Sequence, residues 1–594
     1  MILEFLNKHL LDVEKPSRYI GGEYNQVLKD PGKVKLRFVL AFPDVYEIGM
    51  SNLGLMILYR VLNKMEEVWC ERTFLPWKDM YDLMKQKKIP LFTLESKTFV
   101  KNCDVVGISL QYELSYTNVL HLLDLAQIPI RSFERRESDP LVIAGGPCTL
   151  NPEVMAEVFD AMVIGEGEEV IRQIANVLIE MKGASRFEKL KALSQLEGLY
   201  VPMFYEPTIP PKPKYDWVYP KIFKRTVQDL NEHILDEFRI VPHCQTVHDR
   251  IVVEIMRGCN RGCRFCQAGI FYRPVREKFK AETVDEAMKA LFCTGYEELA
   301  LLSLSTADHS KIVDILTNLN EKLQKLNISL SIPSTRLDAF GVEIAKLITI
   351  ARRTGLTFAP EAGTQRLRNV INKNVTQEDY LNALKAAKEA GWDRIKLYFM
   401  VGLPTETDED LEGIVEMVNI AKKIGFSKIN VSVASFVPKP HTPFQFAKQM
   451  DLEYFDHVKK VLSKLKRIAS LNIHDPRMSL VEGLLSRGDR KIFNVVFDAF
   501  KNGAIFDNWE GMFNFEIWVK AIESSQIDLK MYMSERELYE LLPWDHIQVV
   551  SKEFLISEYL RALRGEVTPD CRWSYCSGCG ICNGALRNIL EVTV

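Results

Sequence analysis

Three cysteines at C-x3-C-x2-C spacing, Cys259, Cys263 and Cys266, constrain this 594-residue chain more than any other feature. Just before them, Ile251-Val-Val-Glu-Ile-Met256 is β-branched and apolar, bounded by Arg250 on one side and Arg257-Gly258 on the other. Such a run reads as a buried strand that delivers the chain into a cysteine loop. Gly258 and Gly262 let the backbone wrap closely around a bulky centre, and Phe265 covers one side of it. Three thiols can hold three corners of a four-iron cluster and leave the fourth iron open for chemistry. The competing readings are a zinc knuckle and three unrelated thiols. Zinc sites usually draw a fourth ligand from a second paired spacing, and none follows within this segment.

Strand, loop and spacing together resemble the radical S-adenosylmethionine superfamily, where a C-x3-C-x-aromatic-C loop follows the first strand of a partial (β/α)6 barrel. The resemblance implies that Cys259, Cys263 and Cys266 ligate a [4Fe–4S] cluster, whose free iron is chelated by the amino and carboxylate groups of S-adenosylmethionine. Reductive cleavage of the sulfonium to a 5′-deoxyadenosyl radical would follow, the protein orienting and shielding these species. The implied partner is an external electron donor such as flavodoxin or ferredoxin.

Length gives room for roughly three or four domains. With 76 basic against 79 acidic residues, the net charge of −3 gives no support to a nucleic-acid-binding surface, although a local basic patch is compatible with it. The first nine residues mix charges into apolar positions too early for a secretory segment, and no apolar run approaches the roughly 20 residues of a membrane span. No membrane partner and a cytoplasmic location are expected. Seven of the twelve cysteines fall in two tight groups, 259–266 and 571–582, which points to metal clusters rather than disulfides.

Residues 1–180 alternate apolar strands with helical spacing. Val34–Ala41, Val105–Leu110, Leu141–Ala144 and Ala161–Ile164 are the expected strands of an α/β, doubly wound, Rossmann-like sheet with its ligand at the carboxyl edge. The edge loops carry Gly145, Gly146 and Gly165, where a backbone without side chains can approach a large ligand. Gly165-x-Gly167 is not a dinucleotide fingerprint, because Val170 stands at the third glycine position. The set resembles the cobalamin-binding domain that precedes the barrel in one branch of the superfamily. Asp44, Tyr46 and Gly49 match an Asp-x-His-x-x-Gly motif with tyrosine in place of histidine, so histidine-ligated cobalt is not expected there. The bland alternative is a degenerate domain kept for packing or substrate contact.

Residues 181–245 read as a charged helix and a Pro-rich linker, and 246–450 as the radical barrel. Its further strands are expected at 298–304, 329–332, 356–359, 394–400 and 428–433. By resemblance, Ser305 and Thr306 after the second strand, and Glu361 and Thr364 in the Glu-Ala-Gly-Thr turn, would contact S-adenosylmethionine. Gly402–Thr407 resembles another family turn, where a plain helix start reads equally well. In the Pro-rich loop 436–444, Lys439 and His441 are candidates to face substrate, against a solvated alternative.

Residues 451–594 look mainly helical, with basic faces that are most simply solvated and otherwise contact RNA. Cys571, Cys576, Cys579 and Cys582 then group four thiols within twelve residues. Their compact spacing resembles the ferredoxin way of wrapping a cubane and favours a second [4Fe–4S] cluster, with structural zinc as the alternative.

Three functions are compatible with this organisation. The leading one is a cobalamin-dependent methyltransferase acting on an unknown substrate at an unactivated carbon or phosphorus. By family analogy, one S-adenosylmethionine would methylate cob(I)alamin and a second would supply the radical. The others are methylthiolation or sulfur insertion into RNA or protein, and a non-catalytic iron–sulfur electron-transfer protein.

Overall fold

The computed structural model describes residues 1–233, 239–332, 336–338, 347, 356–582 and 586–591. Its first layer is a sheet of β1 Leu36–Phe42, β2 Val68–Phe74, β3 Val105–Ser109, β4 Leu141–Gly145, β5 Ala161–Val163 and β6 Leu199–Tyr200. The order is β2-β1-β3-β4-β5-β6, parallel except for the antiparallel β6. The order reverses between β1 and β3, which is where open parallel sheets form a crevice.

Strand β2, Val-Trp-Cys-Glu-Arg-Thr-Phe, escapes an apolar-run criterion because it carries two charges, yet all of it is buried. Arg72 donates to Glu95 at 2.6 Å and to Glu23 at 3.0 Å, and Glu71 accepts from Thr93 Oγ1 at 2.7 Å. Paired and hydrogen-bonded charges can be buried where single ones cannot. Within the stretch read as a linker, Arg186–Leu193 is a helix with a Ser185/Glu188 capping box, and the following β6 completes the first sheet.

Ile251–Glu254, Glu298–Leu302 and Ser329–Ser331 form one parallel sheet. Leu356–Glu361, Arg394–Val401, Lys428–Ser435 and Ser470–Ile473 form a second, whose last strand lies inside the region expected to be mainly helical. Ile251, Val253, Leu299 and Leu301 are buried in one core with apolar residues of the helices Lys280–Thr294 and Ile312–Leu323. Because side chains alternate along a strand, Val252, Glu254, Ala300 and Leu302 face the opposite way, into the barrel.

The C-terminal helices fasten onto the first sheet's domain, and Glu558 among them accepts from Arg264 of the barrel at 3.1 Å. Asn151 Nδ2 donates to the carbonyls of Ser486 and Gly488 at 3.0 and 2.8 Å, and Thr117 Oγ1 donates to Asp507 at 2.8 Å. Among the described residues, no helix is long and apolar enough to cross a membrane.

Candidate cofactor cavity and cysteine sites

The strand Ile251–Glu254 leads into the cysteine loop through Gly258, whose φ is 91°. A Cβ there would lie 2.3 Å from the Pro274 carbonyl oxygen, so only glycine fits. At the far end, Cys266 caps the Gln267–Phe271 helix, its sulfur accepting from the Gly269 amide at 3.3 Å. Arg264 is fully buried and pins the loop from beneath, donating to Val370 O at 2.9 Å, Glu566 O at 2.8 Å and Glu558 at 3.1 Å.

Cys263 is close enough to Cys259 and Cys266 to disfavour their ionisation. Burial, then the neighbouring Cys263, pushes the Cys266 thiol up to about 12 and raises that of Cys259. Lys373 and Arg336 oppose this at Cys266 and Cys259. A thiol triad flanked by two cations fits a cluster that binds as thiolates. Neither cation carries a sequence signal. Among the described residues, no three His, Cys, Asp or Glu side chains converge on a single-ion site.

Of the residues expected to meet S-adenosylmethionine, Glu361 lies near the triad. It adopts a φ of 69°, rare for a residue with a side chain, and accepts from Lys373 Nζ at 3.1 Å. Ser305 and Thr306 are buried, with Ser305 Oγ donating to Asp308 at 2.6 Å and Thr306 Oγ1 lying 3.1 Å from Ser303 Oγ. Their hydroxyls shape the turn, and the adjacent Ser303 and Leu304 reach the cavity described below. Thr364 caps the Gln365–Val370 helix, accepting from Leu367 N at 3.2 Å and donating to Asp410. It serves the helix end, not the barrel interior.

A cavity of about 550 Å³ lies between the two sheets. One wall is a single face of the first sheet, made by Phe38 and Leu40, Gly107 and Ser109, Ile143 and Gly145, and Val163 and Gly165 at every second position. The helices Leu53–Asn63 and Val170–Glu180 flank it, and Val252, Glu254, Ala300 and Leu302 close it from the barrel's inner face. It ends at Met256, Arg257 and Gly258, beside Cys259.

Gly145, Gly146 and Gly165 therefore line one large space. Gly165 has a φ of 111°, and a Cβ would lie 2.3 Å from the Arg225 carbonyl oxygen. Asp44, Tyr46 and Gly49 do not line it. Asp44 accepts from Asn508 at 2.7 Å and Trp509 Nε1 at 2.9 Å, the Tyr46 hydroxyl donates to Glu23 at 3.0 Å, and Gly49 packs against Phe74. The Asp-x-Tyr-x-x-Gly segment thus anchors the C-terminal region and the amino-terminal segment, while Ser51 to Leu55 just beyond it form the cavity wall. Lys439, half-buried, and His441, buried, are also contacts between regions. Lys439 pairs with Glu482 at 2.6 Å and Glu113 at 2.8 Å, and His441 Nε2 meets Leu150 O at 3.0 Å.

Charges seal the edge of the cavity next to the cysteine loop. Arg257 pairs with Glu168 at 2.7 Å, Glu254 at 2.8 Å and Glu166 at 3.3 Å, and Arg276 with Glu166 at 2.7 Å. Burial pushes the Glu166 carboxyl up, but Arg257 and Arg276 more than offset it and hold it at about 2. The loop Gly165–Glu168 of the first domain is thereby tied to the residue two before Cys259.

The C-terminal cysteines fold back onto the barrel. Cys579 is buried, Cys571 half-buried, and Cys576 and Cys582 exposed. Burial raises the Cys582 thiol, and Cys579 and Cys576 raise it further; burial also raises Cys571, with Cys579 adding to it. Gly578 and Gly580, with φ of 74° and 80°, turn the chain between them. Four thiols on a glycine-rich loop are a donor set that suits a closed cluster.

Residues 54–202 match the family described as radical SAM proteins, N-terminal, and residues 253–418 match the radical SAM superfamily. An uncharacterized protein of Methanocaldococcus jannaschii is 28% identical over 489 residues, covering 80% of this chain and 96% of that protein. An uncharacterized methyltransferase of Pyrococcus horikoshii is 26% identical over 309 residues, covering 50% of this chain and 61% of the relative. The cobalamin-dependent S-adenosylmethionine radical enzyme OxsB with aqua-cobalamin and S-adenosylmethionine bound aligns with a TM-score of 0.48 and 13% identity, over 89% of this chain and 79% of that one.

Proposed function

Because the chain belongs to the radical SAM superfamily, we propose that it is a methyltransferase that holds cobalamin in the interdomain cavity and starts radical chemistry at the Cys259 loop. The observation that carries this reading is the cavity itself, which joins the glycine-lined face of the first sheet to the barrel interior and ends beside Cys259. Its 550 Å³ lies in the range of small-molecule and cofactor sites. When bound, cobalamin supplies methyl-carrier chemistry, and the cluster with S-adenosylmethionine supplies a 5′-deoxyadenosyl radical.

The chain's own residues bind, orient and shield. Gly145 leaves backbone where a side chain would fill the space, and Gly107, Gly146 and Gly165 let the wall pack closely behind it. Leu58, Ile171, Phe271 and Leu302 give an apolar lining that keeps water from a reactive intermediate. Ser109, Gln111 and Ser303 add polar groups that fix orientation. Arg257, held by three carboxylates, fixes the backbone entering Gly258 and Cys259. Glu361 and Lys373, near Cys266, are the proposed contacts of the methionine part of S-adenosylmethionine.

Anaerobic purification and reconstitution with hydroxocobalamin tests the reading. It expects a stoichiometric corrin spectrum, and both S-adenosylhomocysteine and 5′-deoxyadenosine as products. Formation of 5′-deoxyadenosine by a protein that never retains corrin would remove the methyl-transfer reading and leave the radical one standing. Tracking labelled sulfur into RNA or protein would then test sulfur insertion.

A further inference from the structure

The second barrel sheet turns Ile395, Leu397, Val431 and Val433 toward the core it shares with its helices. Because side chains alternate along a strand, the residues between them face the barrel interior, and the register stacks them in rows. Lowest is Arg394 beside Lys428. Above these come Thr357, Lys396, Asn430 and Ser470, one from each of the four strands, and then Tyr398, Ser432 and Asn472. Barrel interiors are usually filled by bulky branched residues. Here Arg394, Lys428, Asn430, Ser470 and Asn472 are exposed, and Thr357, Lys396 and Tyr398 are half-buried.

The charge on these rows has one sign. Arg394, Lys396 and Lys428 have no ion-pair partner among the described residues, whereas Arg250 pairs with Glu298, Arg257 with Glu254 and Lys373 with Glu361. Lys396 Nζ lies 4.6 Å from the centre of the Tyr398 ring, which holds the ammonium over the sheet without neutralising it. A merely solvated face intersperses both signs. Uncompensated cations among hydroxyl and amide groups are instead a donor set for an anion, and phosphate oxygens accept from such donors. The first carboxylate further up the sheet is Glu361, level with Phe399. At a rise of about 3.3 Å per residue, that is about 10 Å above Lys396.

We propose that this face anchors the substrate and that the substrate is a small phosphate ester. Lys396 pairs with the phosphate, the hydroxyls of Thr357 and Ser470 and the amide of Asn430 donate to its remaining oxygens, and Arg394 and Lys428 add attraction from the row below. The rest of the molecule runs about 10 Å up the strands, which brings its far end to Glu361 and the Lys373 beside Cys266. The anchor thus fixes the distance between the phosphate and the reacting carbon. This rests on the reading of the Cys259 loop as the radical-initiating site.

The test uses the anaerobically reconstituted full chain. Brief acetylation with acetic anhydride is read lysine by lysine by mass spectrometry, in sodium phosphate and in sodium chloride of equal ionic strength. Phosphate at about four times its dissociation constant should cut labelling of Lys396 and Lys428 about fivefold. Lys422, exposed on the Asp408–Ile424 helix, should label equally in both salts. Arg394→Gln should raise the phosphate concentration needed about tenfold, the worth of one charge-assisted contact. Substrate use is read separately, as release of 5′-deoxyadenosine under titanium(III) citrate. A protein-free small-molecule extract of the source cells should speed it, alkaline phosphatase treatment of the extract should remove the effect, and Lys396→Gln with unchanged iron content should not respond. Equal labelling of Lys396 in phosphate and chloride, an extract without effect, or stimulation that survives phosphatase or Lys396→Gln would overturn the proposal. Protection of Lys396 in a protein that never releases 5′-deoxyadenosine, with or without extract, would overturn it differently, by removing the radical site on which the substrate role rests.

Discussion

Replacing Asn372 by Ala should release the C-terminal cysteine segment from the barrel. Asn372 is fully buried, and its Nδ2 reaches the carbonyls of Thr568, Gly262 and Arg261 at 3.0, 3.1 and 3.2 Å. Its Oδ1 accepts from the Thr568 amide at 2.8 Å. Two N–H groups and one acceptor are full partners, so at about 1 kcal/mol net for each the loss is about 3 kcal/mol. Asn372 also has a φ of 53°, a conformation that Asn tolerates better than Ala, which adds to the loss. A change of 3 kcal/mol is about two orders of magnitude in an opening equilibrium. Hydrogen exchange reads local opening directly, without assuming a single unfolding transition. The amides of residues 566–580 should exchange about 100-fold faster, while those of the first sheet keep their protection. If exchange in 566–580 rises by less than about threefold, the segment is held by something other than this staple, and the argument from hydrogen bonds fails.

Gly145→Leu should abolish corrin uptake while iron content is kept. Gly145 has an ordinary φ and its nearest neighbour to an added Cβ is Val163 at 4.0 Å, so the new side chain is accommodated by filling the cavity; undiminished corrin absorbance would count against the cavity as its site. Glu166 has a folded-state pKa of about 2, below its ordinary 4.5, so its ion pairs contribute stability above pH 4.5 and lose it as pH falls toward 2. In an acid titration followed by tryptophan fluorescence, Glu166→Gln should flatten the slope between those values, and an unaltered slope would contradict the assignment. At neutral pH the same variant leaves Arg276 without its buried carboxylate, which should cost about 3 kcal/mol in a denaturant melt.

The cysteine loop was legible because everything it needs is local: a strand, two glycines and a spacing. The alternation of strands and helices was legible for the same reason, since Val105–Ser109 or Leu141–Gly145 is apolar enough to read by itself. Strand β2 was hidden because Glu71 and Arg72 become buriable through partners on other segments, Arg37, Thr93 and Ser96 for Glu71 and Glu23 and Glu95 for Arg72. Ser470–Ile473 was hidden by its half-exposed, polar alternation. The Asp44–Gly49 segment shows the limit of a short motif. Its spacing matched, but the partner that decides the role of Asp44 is Trp509, 465 residues away. The cavity walls come from residues as far apart as Phe38 and Leu304, so no window of sequence contains the site. Lys373 was invisible for the same reason: it matters by what folds against it.

Formation of 5′-deoxyadenosine from S-adenosylmethionine is the most direct test of the central claim. Anaerobically reconstituted wild-type protein, reduced with titanium(III) citrate, should release it, as read by mass spectrometry. Cys263→Ala should lose both the product and the barrel cluster's iron while keeping the C-terminal cysteines' metal. Undiminished 5′-deoxyadenosine in Cys263→Ala, or none from a wild-type protein that has taken up a cluster at the Cys259 loop, would contradict the account.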